Sequence, residues 1–260
     1  MEVKMDNRVA LITGGSKGLG LAMATRFAQS GARVVIAARD EETLANAEAA
    51  LLKAAPESAV RAISADVSNP QSVRDLYEGA VAAFGQVDIL VNNAGQSATG
   101  QFEDITDEVW QSDLDLKLFA AIRLARLAFP DMKKRRWGRI INVLNTHAKA
   151  PTAGSAPTSV SRAAGMALTK VLASEGAPHN VLVNALCTGL IESDQWVRRH
   201  AAQGEGSYQD FLANMGKGVP MGRVGESVEF ANMACFLASD AGSYITGTAI
   251  NVDGNRCPVV

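Results

Sequence analysis

Residues 9–30 read VALITGGSKGLGLAMATRFAQS: a short, almost wholly apolar run, a turn with glycine at positions 14, 15, 18 and 20, then a helical pattern. A strand that is apolar at nearly every position is one covered on both faces, which is the situation of parallel strands joined by helices. The glycines let the chain turn sharply out of the strand and into the helix. This opening constrains the rest of the chain: further strands must lie beside the first, each returned by a helical crossover.

The remaining sequence keeps that rhythm. Apolar, β-branched runs at 33–37, 60–64, 87–91, 139–144, 181–186 and 249–252 predict further strands. Between them, helices are predicted at 41–53, 70–84, 106–129, 155–175 and 227–238. Pro70 suits a first helical position. Thr106 suits a cap, with Asp107 and Glu108 placed for a helix N-terminus. A less regular, polar stretch at about 191–219 predicts a substrate lid. No linker of disordered composition and no repeat divides the 260 residues. The expected fold is α/β: a single doubly wound Rossmann domain over 1–260, with helices on both faces of a parallel sheet.

Several function classes are disfavoured. Lys and Arg number 25 against 27 Asp and Glu, so no basic field exists to hold nucleic acid. No run of about 18 apolar residues predicts a membrane span, and the start MEVKMDNRV is too polar for a signal peptide. Cys187, Cys235 and Cys257 form no paired motif, so no metal site is expected and the thiols read as reduced, in a cytoplasmic protein.

The glycine turn points to a dinucleotide. Gly14, Ser16, Lys17, Gly18, Leu19 and Gly20 would bring backbone close to a pyrophosphate at the start of a helix. Strand two ends at Ala38-Arg39 rather than in an acid. Arg39 with Lys17 suits a 2′-phosphate, so NADP(H) is favoured over NAD(H), although Arg39 also fits a solvated helix start. Asp66 and Val67, after strand three, are candidates for the adenine edge, with a plain turn as the other reading of Asp66.

These residues resemble the short-chain dehydrogenase/reductases, and within them the 3-oxoacyl-carrier-protein-reductase-like type. TGGSKGLG is similar to the family's glycine turn, and Asn92-Asn93-Ala94-Gly95 to its segment after strand four. GRIINV at 138–143 is similar to the strand before its catalytic serine, and VLVNALCTG at 181–189 to its later strand. GRVGESVEFANMACFLASDAGSYITGTAINVDG at 222–254 is similar to its C-terminal region. The resemblance implies a seven-stranded sheet, a cofactor contacting Asn92, Ala94, Gly95, Gly189 and Ile191, and a homotetramer or homodimer built partly on helices near 106–129 and 155–175.

The resemblance fails at the family's Asn-Ser-Tyr-Lys tetrad. Those positions fall on Asp115, Asn145, Thr158 and Arg162, and none of Tyr77, Tyr208 and Tyr244 is followed by a lysine at the family's spacing. An aliphatic hydroxyl is a far weaker acid than a phenol, and arginine does not relay protons. Asn145 can still donate to a carbonyl oxygen, and Arg162 can still grip ribose hydroxyls. Asp115 and Arg162 are expected to pair beneath the ribose, against the plainer reading that Asp115 faces solvent on its helix and Arg162 meets only the cofactor. His147 is the candidate proton donor, against the plainer reading of a loop histidine. Cys187 reads as small buried filler or a reactive thiol. Two functions remain open: an atypical NADP(H)-linked oxidoreductase acting on a carbonyl or alcohol small molecule, or a non-redox nucleotide-binding scaffold, partner subunit or lyase-like enzyme.

Overall fold

The computed structural model describes residues 3–203 and 206–260; residues 1 and 2 of the predicted domain, and 204 and 205 of the predicted lid, lie outside the described residues. The strands are β1 (Val9–Thr13), β2 (Arg33–Ala38), β3 (Val60–Ser64), β4 (Ile89–Asn92), β5 (Gly138–Asn145), β6 (Val181–Thr188) and β7 (Ala249–Val252). They form one seven-stranded sheet in the order β3-β2-β1-β4-β5-β6-β7, with every pairing parallel.

Helices cover both faces, and the side-chain alternation of each strand divides the core between them. Ala10, Ile12, Val34, Ile36, Ile89 and Val91 pack with α1 (Gly18–Gln29), α2 (Glu41–Ala54) and α9 (Ser227–Ala238). Leu11, Val35, Ala37, Leu90, Ile140 and Val183 pack on the other face with α3 (Pro70–Phe84), α5 (Ala120–Arg135) and α6 (Thr158–Gly176). This two-sided burial is why the strand sequences show almost no polar positions. The sheet order reverses between β1 and β4, so the crevice beyond their carboxyl ends is where a ligand is expected.

Two elements differ from the sequence expectation. The helix predicted at 106–129 is divided into α4 (Asp107–Leu114), a π-helical turn over Asp115–Phe119, and α5. A π turn admits an extra residue per turn. It lies where Asp113 and Lys117 become buried, which an unbroken surface helix would not require. Thr106 takes the N-cap position, but its hydroxyl does not accept from the helix. The lid is more ordered than predicted, with α7 (Asp194–Gln203) and α8 (Tyr208–Gly216). Ser207 caps α8 by accepting from the Asp210 backbone N–H. His200, which has no motif around it, meets the Tyr208 ring edge-on and lies beside Phe211, with centroids 5.5 Å apart in each pair. Among the described residues no helix is long and apolar enough to cross a membrane.

The α1–α9 layer supports the floor under the glycine turn, with Phe27 and Phe230 fully buried in it. Phe230→Ala is expected to cost about 3–5 kcal/mol of unfolding free energy. Urea titration reads this directly, and a cost below about 1 kcal/mol would show that the layer repacks around the gap.

Candidate active site

The crevice is built by tying the end of β1 to the end of β4. The Thr13 hydroxyl accepts from the backbone N–H of Asn93 and of Ala94, each at 3.0 Å. The Asn93 side-chain amide donates to the carbonyls of Thr13 and Gly14, at 2.9 and 3.1 Å. Gly14 and Gly18 hold positive φ angles of 64° and 52°, which only glycine adopts without strain. Helix α1 then starts with no side-chain cap and no acidic residue in its first turn. An uncapped, acid-free helix start is suited to an anion, which its free N–H groups and positive dipole end favour. A nicotinamide dinucleotide fits it through its pyrophosphate.

The other predicted contacts surround this cradle. Ser16 and Leu19 lie in the turn and first helical residues, while Gly20 packs against Gly14 so closely that a Cβ would strike its carbonyl oxygen. Lys17, at the N-cap of α1, and Arg39, just past β2, are both exposed. The carboxyl of Asp40 is held below its usual range by the Thr43 backbone N–H and hydroxyl, and further by the Lys17 charge. That of Asp66 is lowered by the Ser68 hydroxyl first, with a smaller pull from Arg39. Asp66 closes a turn onto Ser68 through Oδ1, and the Val67 side chain is buried in the core. Across the crevice, Ile191 is buried and bridges to Gly225, and Gly189 donates to the Val252 carbonyl at 3.0 Å.

Thr158 opens α6, and its hydroxyl is fully occupied. It donates to the Ala98 carbonyl at 2.7 Å and accepts from the Ala98 N–H at 3.0 Å and from Lys117 Nζ at 2.7 Å. With its single proton and both lone pairs engaged, Thr158 is an anchor, not an acid. Lys117 was not singled out by sequence reasoning. Its side chain is 1% exposed and makes a very short ion pair with Asp113. Two of its three N–H groups thus go to Asp113 and Thr158, and the third has no partner among the described residues. Burial is the main cause that brings its pKa down to about 8; the Arg162 charge adds to this, and Asp113 opposes both.

Arg162 donates from Nη1 to the Val143 carbonyl at 2.8 Å, while its Nε is buried without a partner. Its Nη2 would lie 2.6 Å from a Cβ on Gly95, so glycine there lets the guanidinium reach the crevice floor. Burial pushes it down to about 10, still charged at neutral pH, with Asp113 working against the shift. Asn145 ends β5 beside it in the sheet register of Thr188, with a buried Oδ1 that also lacks a partner. Asn92 is fixed one layer below by donating to Asn142 at 2.8 Å.

The expected Asp115–Arg162 pair does not form. Asp115 Oδ1 accepts from Arg123 and Oδ2 from Gln111, at 2.9 and 2.8 Å. The π turn begins at Asp115, so the buried carboxylate facing α6 is Asp113, one half-turn earlier. His147 lies on a short turn after β5, partly buried; burial and then the Arg256 charge push its imidazole down. Cys187 is buried and pushed up to about 11, chiefly by burial, which makes it filler and not a reactive thiol. Tyr77 lies in the core and Tyr244 is fully exposed. A cavity of about 290 Å3 opens beside the cluster, lined in part by Gln96, Ala98, Glu108 and Asp113.

Comparison with known proteins is consistent along the whole chain. The family model described as enoyl-(acyl carrier protein) reductase matches residues 14–254. The 3-oxoacyl-acyl-carrier-protein reductase FabG of Aquifex aeolicus is 33% identical over 256 residues, covering 98% of this chain and 99% of that protein. L-sorbose reductase from Gluconobacter frateurii, solved with NADPH and L-sorbose, superposes with a TM-score of 0.95 at 33% identity, covering all of both chains. A short-chain oxidoreductase from Pseudomonas aeruginosa PAO1, solved with NADPH and described as containing an atypical catalytic center, gives 0.91 at 37% identity, covering 98% of this chain and 99% of that one.

Asp115 and Arg123 make a solvent-touched ion pair, with side chains 25% and 22% exposed, of the kind that contributes little. Asp115→Ala is expected to change unfolding free energy by less than about 1 kcal/mol and to leave dinucleotide affinity unchanged, as read by denaturant titration and cofactor fluorescence. A loss of dinucleotide binding would return Asp115 to the site.

Proposed function

Because this chain belongs to the short-chain dehydrogenase/reductase family of oxidoreductases, we propose that it interconverts a ketone and its alcohol with NADP(H), and that Lys117 moves the proton. One observation carries this reading: the buried ammonium of Lys117 rests on the Thr158 hydroxyl, where the family's phenol is expected, with one N–H to spare.

Bound NADPH supplies a hydride to the carbonyl carbon. Arg162 would hold the nicotinamide ribose hydroxyls through Nη2, which takes no protein acceptor among the described residues, while Nη1 stays on the Val143 carbonyl. Asn145 donates from its amide to the carbonyl oxygen and orients it. Lys117 gives its third N–H proton to that oxygen as negative charge develops there, and is left as a neutral amine. Thr158, spent on Ala98 and Lys117, keeps the amine aimed. Oxidation of an alcohol runs the proton the other way, into the neutral amine. An acid with a pKa near the working pH is well matched to both directions.

Lys17 and Arg39 support NADP(H) over NAD(H), as do the NADPH-bound structures of two related proteins. Relatives named for 3-oxoacyl and L-sorbose reduction support a ketone as substrate class. Exposed Phe119, Val160 and Val171 on the α5–α6 flank support a homo-oligomer, and three unpaired cysteines fit a cytoplasmic setting. The non-redox reading rested on the loss of every tetrad residue, and Lys117 removes that motive.

Lys117→Met is expected to lower turnover of a 3-oxoacyl thioester or ketose by roughly 10²–10⁴ while NADPH still binds, as followed by absorbance and fluorescence. Retention of a third of the rate would exclude Lys117 as the acid. Reduction needs the charged form, so its rate should fall as pH rises through about 8, and oxidation should rise over the same range. Arg39→Ala should weaken NADPH roughly 10–100-fold and leave NADH unchanged, if a charge-assisted bond to the 2′-phosphate is lost.

A further inference from the structure

We infer that Asp113 is a positioning residue for the reaction: its carboxylate holds the Lys117 ammonium against Thr158, and Ser161 holds the carboxylate. This rests on the reading of Lys117 as the proton donor and deepens it. Asp113 ends α4 almost fully buried, with its side chain 2% exposed. Its Oδ1 takes Lys117 Nζ and lies 3.5 Å from the Thr158 hydroxyl; its Oδ2 accepts from Ser161 Oγ at 2.6 Å. The Thr158 carbonyl, 3.1 Å from the same Oγ, is a second and more distant acceptor for its single proton. Thr158 and Ser161 share the first turn of α6, so one helix end sets both the anchor of the amine and the anchor of its counter-charge.

A buried ion pair is a poor source of stability, because desolvating both charges offsets most of their attraction. The pair is better understood by what it does to the amine. Among the described residues, the bonded and charged groups around Lys117 are few. Asp113 on α4 is the carboxylate paired with it. From α6 come the Arg162 guanidinium, which repels it, and the neutral Thr158 hydroxyl. The loop after β4 supplies only the Ala98 backbone and Gly95, near the Lys117 Cγ. With Asp113 uncharged, burial and Arg162 would act on the amine unopposed, and it would be neutral at working pH. Asp113 also lines the cavity of about 290 Å3 beside the cluster.

The test is Asp113→Asn in the full chain, which keeps the shape and removes the charge. The Lys117 pKa is read without cofactor by NMR of 13Cε-labelled lysine, its signal assigned by its absence in Lys117→Met. It should drop by about 1–3 units. The alkaline limb of kcat for ketone reduction should move down by the same amount, with NADPH affinity unchanged. An unmoved Lys117 pKa overturns the role of Asp113. A moved pKa with an unmoved limb overturns Lys117 as the acid, and with it the catalytic purpose of the pair. If Asp113→Asn does not fold, Ser161→Ala frees the carboxylate without touching the amine. It should lower kcat severalfold at unchanged KM, and an unchanged kcat overturns the inference.

Discussion

Thr13 is the residue on which the site's geometry turns. Its hydroxyl accepts two backbone N–H groups from the segment after β4 while sitting at the end of β1, where the sheet order reverses. At such a switch point two neighbouring loops diverge to opposite faces and leave a crevice. Without a bond across it, the glycine turn and the Asn93–Gly95 segment would be independent loops. With it, the uncapped start of α1 and the floor beneath Arg162 are set by the same rigid strands. The Asn93 amide adds two bonds to the same edge, satisfying the Thr13 and Gly14 carbonyls.

On that frame sits a cluster that violates the usual rules of burial. Lys117, Asp113 and Arg162 place two cations and one anion among apolar helices. Removing such charges from water costs several kcal/mol each, and packing apolar residues instead would often be no worse for stability. The π turn over Asp115–Phe119 is part of the same departure, since it sits where those side chains turn inward. Irregular helix and buried charge at one place are together better explained by chemistry than by folding.

The fold was legible because it follows from periodicity and from glycine. Each predicted strand appears within a residue or two of its observed position, and the glycine turn announces the crevice before any contact is known. The cluster was not legible for a physical reason. Asp113 and Lys117 are four residues apart on a helix, the spacing of an ordinary solvated ion pair. Nothing in DLDLKL marks which of its two aspartates turns inward; the π turn decides that, and Asp115 ends up paired with Arg123. Thr158 and Arg162 were located by their neighbours, yet the role of Thr158 depends on the Ala98 carbonyl and N–H, which lie far away in sequence. Burial, too, is invisible to spacing, and burial is what makes Lys117 a useful acid.

The residues at the positions singled out by the family resemblance make sense as a set when charge is counted. The arrangement expected from that resemblance pairs a neutral acid, a phenol, with one cation. The acid proposed here, Lys117, is itself a cation, and it shares the pocket with Arg162. A second lysine in place of Arg162 would compete for the same loss of a proton, and the two would titrate as a coupled pair. Arginine avoids this: even lowered to about 10 it stays charged while the amine, at about 8, responds. The fixed guanidinium charge then favours the neutral amine, so it assists release of the proton in the direction of ketone reduction. Asp113 opposes that push and keeps the amine charged long enough to have a proton to give. The proposed lysine acid is therefore set by burial first, with Arg162 adding to the drive that takes the proton off and Asp113 keeping it on until substrate arrives.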